Sequence, residues 1–137
     1  MARRTEAYVD TSALIAFVDR SDTHHALFRG LFADPPPLVT STLVVAEGHG
    51  WFLKRYDRTR ALQFVSMSEA LRLLRTVAVG SEEQAGALAI LRKFSDQDLT
   101  LTDAVGLYLM KRHRVNLCWS TDRHLGLMGV PLVVDTM

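Results

Sequence analysis

Cysteine occurs once in the 137 residues, at Cys118. A lone thiol makes no internal disulfide and no multi-thiolate zinc site. A secreted disulfide framework is therefore excluded, and a reducing, cytoplasmic compartment is expected. Proline (4) and glycine (8) are too few for a linker-rich or collagen-like chain. No long apolar run is present either. Ala13 to Val18 is bounded by Asp10 and Asp19, far short of the ~20 apolar residues a membrane span needs. The start is basic, but no signal-like apolar core follows it. Charge of neither sign predominates: 16 Lys and Arg face 15 Asp and Glu. That balance does not by itself point to nucleic acid.

What is present is an ordinary globular composition, 48% hydrophobic, at a length that suits one domain over residues 1–137. Short apolar segments alternate with helical ones. Ala7 to Asp10, Leu38 to Thr40, Leu73 to Val79, Leu117 to Trp119 and Leu132 to Val134 read as strands. Helices are expected over Ser12 to Asp19, from an Asp22 cap to Phe32, and from Ser41 or Thr42 to Tyr56. Others run from Asp57 or Thr59 to Ser68, from an 81–84 capping box to Phe94, from Thr100 to His113 and from Asp122 to Met128. Gly48 and Gly50 interrupt the third helix, at ~1 kcal/mol each relative to alanine. Near-continuous apolar strands separated by helices predict an α/β protein, with a mainly parallel sheet covered on both faces. In such sheets ligands bind beyond the carboxyl ends of the strands.

Acids sit at those ends. Asp10 directly follows the first strand, and Asp122 follows the Leu117–Trp119 strand by three residues. Either is explained alone as a helix cap. Asp103, three residues after Thr100, is explained alone as a capping-box acid. Glu47 shares a helix face with Leu43, Val44 and Trp51, where a carboxylate is costly unless paired, protonated or bound to a cation. If the four converge, repulsion raises their pKa values unless a cation is present. Hard oxygen donors of this kind suit Mg²⁺ or Mn²⁺ rather than zinc. A cation so held activates water and binds phosphate oxygens, which is phosphodiester hydrolysis chemistry. Setting the four aside leaves the rest of the chain basic. Arg72, Arg75, Arg92, Lys93, Arg112 and Arg123 are candidates for a phosphate-binding rim, each equally explained as a solvated helix-face charge.

The same residues carry a family resemblance. Val9-Asp10-Thr11-Ser12-Ala13-Leu14 resembles the opening strand motif of the PIN domain nucleases. Asp22-Thr23-His24-His25-Ala26, Leu43-Val44-Val45-Ala46-Glu47, Leu101-Thr102-Asp103-Ala104 and Ser120-Thr121-Asp122-Arg123-His124-Leu125 resemble its later motifs, in order, across nearly the whole chain. The chain is most similar to the VapC-type toxins of toxin–antitoxin pairs. The resemblance implies a three-layer α/β/α PIN-like domain and a Mg²⁺- or Mn²⁺-dependent endoribonuclease acting on tRNA or ribosomal RNA. It further implies a cognate antitoxin and a homodimer. Asp10, Glu47, Asp103 and Asp122 are then the catalytic and metal-holding residues, with Thr11, Ser120 and Thr121 in support. Two features depart from the pattern. Gly48-His49-Gly50 is expected to bend the helix after Glu47 or to let another backbone approach closely, and Leu125 stands where an aromatic residue is frequent.

Other readings lose ground. The five histidines lack the spacing of a zinc motif. His25 reads as packing or capping near the second helix, and Cys118 as a packed, inert thiol. Two alternatives stay open: a catalytically inactive PIN-like module that binds RNA or protein, and a receiver-like phospho-acceptor domain.

Overall fold

The computed structural model describes residues 6–137. Four strands, β1 (Ala7–Val9), β2 (Leu38–Ser41), β3 (Leu74–Val77) and β4 (Cys118–Trp119), form one sheet in the order β3-β2-β1-β4. Every neighbouring pair is parallel, so all four carboxyl ends lie at one edge. A receiver-type sheet places β1 between β2 and β3. Here β1 lies between β2 and β4, and the receiver alternative falls.

Among the described residues six α-helices accompany the sheet: α1 (Thr11–Val18), α2 (His25–Ala33), α3 (Thr42–Arg55), α4 (Arg58–Ala70), α5 (Ser81–Lys93) and α6 (Leu101–Arg112). The strand residues distribute themselves by the period of two. Ala7, Val9, Leu38 and Trp119 point into a core shared with α1, α2, α3 and α4. Tyr8, Val39 and Cys118 point into a second core shared with α5 and α6. The sheet is thus the middle of three layers, as expected, and its central strands are apolar on both sides because both faces are covered. Edge strand β3 is the exception, with Arg75 and Thr76 exposed. A charged side chain on an edge discourages pairing with another chain.

Several expected boundaries move. Gly48 and Gly50 do not interrupt α3, which is continuous from Thr42 to Arg55. Leu132 makes only one parallel bridge, to Cys118, and the expected last strand is instead a 3₁₀ turn at Val133–Asp135. The N–H groups of Asp135 and Thr136 bond back to Leu132 and Val133, so they are withdrawn from any ladder. The expected helix at 122–128 is a single 3₁₀ turn, Arg123–Gly126, followed by Gly129 at φ +94. Asp22 does not cap α2 directly. Its carboxylate accepts from His24 N at 2.8 Å, and the helix starts at His25. The cap of α5 is one residue earlier than its sequence spacing predicts, with Glu83 accepting from Gly80 N at 2.7 Å. His25 does tie helices together, its Nδ1 lying 2.8 Å from Ala16 O. Cys118 is fully buried, and burial pushes its thiol pKa well up, as an inert packed thiol requires.

Helix α6 ends in a Schellman arrangement: Val115 N bonds to Met110 O at 2.9 Å and Arg114 N to Lys111 O at 3.3 Å. This forces Arg114 to φ +53, a conformation that favours glycine. Arg114 is exposed, so little packing is lost with its side chain. Arg114→Gly is expected to stabilise the fold by about 0.5–1 kcal/mol, read as a higher urea midpoint at unchanged slope.

Candidate active site

The site begins where β1 and β4 end side by side. Asp10 N donates to Trp119 O at 3.0 Å, fixing the residue after β1 against the end of β4. Asp10 caps α1, and its Oδ2 accepts from Ser12 Oγ at 2.9 Å and from Ser120 Oγ at 2.9 Å. The two serine hydroxyls are 3.2 Å apart. Each also receives a backbone N–H from the loop after β4: Ser12 Oγ from Thr121 and Ser120 Oγ from Asp122. One buried carboxylate oxygen thereby organises two loops. Burial pushes the Asp10 pKa up to about 6, with Asp103 adding to the rise while the bonds from Ser12 and Ser120 hold it down.

Asp103 sits in the first turn of α6 in a reciprocal capping box. Its Oδ2 accepts from Thr100 N at 3.2 Å, and its own N donates to Thr100 Oγ1 at 3.0 Å. It is buried, and its pKa is raised by that burial and then by the charges of Asp122 and Glu47, against the bonds from Thr100. Asp122 caps the 3₁₀ turn that follows β4, accepting from His124 N at 3.0 Å, and lies 3.3 Å from His124 Nδ1. Asp103, Asp122 and His124 each offer a donor atom within 4.8 Å of the others. The capping roles expected of these acids are present. The caps aim the carboxylates, and the parallel sheet brings the caps to one edge.

Glu47 is placed differently from its sequence expectation. The buried positions of α3 are Val44, Gly48 and Phe52, and Glu47 stands one residue off that line, exposed. It bears on Asp103 from the solvent side rather than from within the core. No described Lys or Arg comes within ion-pair distance of the four acids; the partner of Asp122 is His124.

The supporting residues are also brought in. Ser120 contributes its hydroxyl and Thr121 its backbone N–H. Thr11 Oγ1 is buried without a hydrogen-bond partner. The candidate rim is scattered. Arg75 pairs with Glu6, at the amino end of β1, and Arg72 precedes β3, so both stand at the opposite edge from the acids. Arg112 lies 3.6 Å from Glu82, while Arg92 and Lys93 occupy the last turn of α5. Arg123, next to Asp122, pairs with Asp135. Sequence reasoning passed over Ser12 and His124. Ser12 had a signal in its i+2 spacing from an acid at a helix start, the spacing of an Asx turn. His124 stands in the same relation to Asp122.

The donor set fits a hard divalent cation. It is dominated by carboxylates, lacks Lys and Arg partners among the described residues, and includes two buried acids with raised pKa values. Fold and site together define a parallel α/β/α protein with an acid-lined cluster at the carboxyl edge of its sheet. The chain belongs to the PIN domain family, whose model matches residues 7–129. It is 32% identical over 124 residues to Ribonuclease VapC26 of Mycobacterium tuberculosis, covering 84% of this chain and 85% of that protein. Its fold is similar to that of M. tuberculosis VapC20, a sarcin-ricin loop cleaving toxin, with a TM-score of 0.83 at 21% identity. That match covers 90% of this chain and 95% of the other. VapBC2 from Rickettsia felis, solved bound to a DNA fragment from its promoter, matches with a TM-score of 0.65 at 10% identity, over 93% of this chain and 96% of the other.

Proposed function

We propose that this protein is a divalent-metal-dependent endoribonuclease, the toxin of a toxin–antitoxin pair. The observation that carries the reading is the meeting of Asp10, Asp103, Asp122 and Glu47 at one sheet edge with no Lys or Arg partner among the described residues. Likeness to Ribonuclease VapC26 supports the activity, and likeness to a toxin and to VapBC2 supports the toxin role.

Asp10, Glu47, Asp103 and Asp122 would hold Mg²⁺ or Mn²⁺. The bound cation supplies an activated water nucleophile and neutralises charge on the scissile phosphate. Ser12 and Ser120 both bond Oδ2 of Asp10 and would so orient its carboxylate for the cation. The capping bonds of Asp103 and Asp122 would fix these two carboxylates before substrate arrives, so that they need little reorganisation during reaction. Thr121 would contact a carboxylate or the substrate phosphate, and Thr11, whose buried hydroxyl has no partner, would turn toward a carboxylate only on a change of rotamer. Arg123 is the rim residue next to the acids, Arg92 and Lys93 would extend the basic surface, and Arg112, at the other end of α6 from Asp103 and paired with Glu82, would bear only on a long RNA. Arg72 and Arg75, at the far edge, would bear only on a long RNA. A cognate antitoxin, a homodimer and a cytoplasmic setting complete the reading. No described helix is long and apolar enough to cross a membrane.

Incubation with a pool of tRNA and ribosomal RNA tests the proposal. Cleavage is expected with Mg²⁺ or Mn²⁺, none with EDTA, and a loss of roughly a hundredfold or more in Glu47→Gln. Glu47 is exposed, so that variant leaves the core intact. Products are expected to carry a 5′-phosphate and a 3′-hydroxyl. A 2′,3′-cyclic phosphate, or cleavage undisturbed by EDTA, would overturn the mechanism. RNA binding without cleavage at any metal would favour a non-catalytic module.

A further inference from the structure

We infer that His124 supplies a nitrogen ligand to the cation, so that the site favours a first-row transition ion such as Mn²⁺ over Mg²⁺. This rests on the reading that the acids hold a divalent cation, and it adds a residue and a selectivity to it. The imidazole is tethered at the site by a tight local structure. His124 N donates to Asp122 Oδ1 at 3.0 Å, and His124 Nδ1 lies 3.3 Å from that oxygen. With Asp103, the two present three donor atoms within 4.8 Å of one another. Donors around a six-coordinate ion at ~2.1 Å stand roughly 3–4 Å apart, so side-chain rotation alone closes the set.

The chemistry of that set is not all oxygen. Mg²⁺ is hard, gives up water reluctantly and is served well by carboxylates alone. A neutral imidazole adds no charge to a crowded acidic pocket, and it shifts preference toward transition ions. Two other histidines do not compete. His25 is engaged with Ala16 O, and His49, two residues after Glu47 on α3, projects from a different side of that helix.

The test uses the full-length chain and Mn²⁺ alone. Pulsed electron paramagnetic resonance of the bound ion is expected to reveal coupling to an imidazole nitrogen. That coupling is expected to vanish in His124→Gln, whose side-chain amide can still bond Asp122 but is not a nitrogen ligand. Calorimetric titration is expected to give roughly tenfold or greater loss of Mn²⁺ affinity in the variant, with a much smaller change for Mg²⁺. Mn²⁺ bound without nitrogen coupling in the wild type would overturn the role of His124 and leave the nuclease reading standing. Coupling that persists in His124→Gln would do the same. Failure of the folded wild type to bind either ion would overturn both.

Discussion

In EDTA at pH 7, Asp10→Asn is expected to melt roughly 10 °C above the wild type, and with metal restored it is expected to cut no RNA. Asp10 is 4% exposed, and burial lifts its pKa to about 6 from an ordinary 3.8. Between those values the native state holds a proton that the unfolded state has released. Stability therefore falls as pH rises from about 4 through 6, and by pH 7 the metal-free fold has lost about 3 kcal/mol to this group. Asparagine removes the ionisation. Its amide oxygen can still accept from Ser12 and Ser120, and asparagine caps a helix as well as aspartate does. For a chain of this size about 3 kcal/mol corresponds to roughly 10 °C. The advantage should shrink toward zero as pH drops below about 4. It should also narrow when Mg²⁺ or Mn²⁺ is added, because the ion stabilises only the state that binds it, and the variant binds it poorly. Thermal melts across pH, with and without the ion, check each arm. A variant that melts below the wild type in EDTA at pH 7 would mean Asp10 is not strained by its burial.

The second large effect concerns two glycines two residues apart. Gly48→Ala is expected to destabilise by about 2 kcal/mol and Gly50→Ala to stabilise by about 0.5–1, although both lie in the interior of α3. A methyl at Gly48 would stand 2.1 Å from Cζ and 2.4 Å from Cε1 of Phe64. That ring is fully buried and stacked on Phe52 with centroids 5.3 Å apart, so it has no room to turn aside. Overpacking costs about 1–3 kcal/mol and rises with a contact this close, which outweighs the ~1 kcal/mol that alanine gains in a helix. At Gly50 nothing lies within 4 Å and only the gain remains. Urea titration of the two variants should place their midpoints on opposite sides of the wild type. Two variants stabilised alike would contradict the close approach of α3 to α4. The same approach bears on chemistry, because it holds the helix that presents Glu47, one residue earlier, toward Asp103.

These glycines mark the boundary of what the sequence conveys. Propensity treats Gly48 and Gly50 alike, as two weak points in one helix. Only the neighbour across the helix pair separates them. Glu47 teaches the same lesson. The 43–47–51 spacing puts it on an apolar face, yet the face that docks is Val44–Gly48–Phe52, and one position of rotation leaves the carboxylate in solvent. A helix can be rolled by one residue without changing its composition, so which stripe faces inward is settled by the partner surface.

The alternation of apolar strands and helices, by contrast, determined a parallel sheet with two covered faces, since strands buried on both sides have few other homes. The positions of the acids at element ends were equally legible, because Asp10, Asp103 and Asp122 each carry a local capping role that a few residues define. What the chain order left open was their company. The clamp of Ser12 and Ser120 on Asp10 spans residues about a hundred positions apart, and His124 meets Asp103 across a helix start. The sheet order decides that company: β1 and β4 lie side by side, and the loops after them share one edge. Local sequence sets where a carboxylate points within its own turn. Only strand pairing decides which other charges it meets, and therefore whether it is a cap alone or a cap within a site.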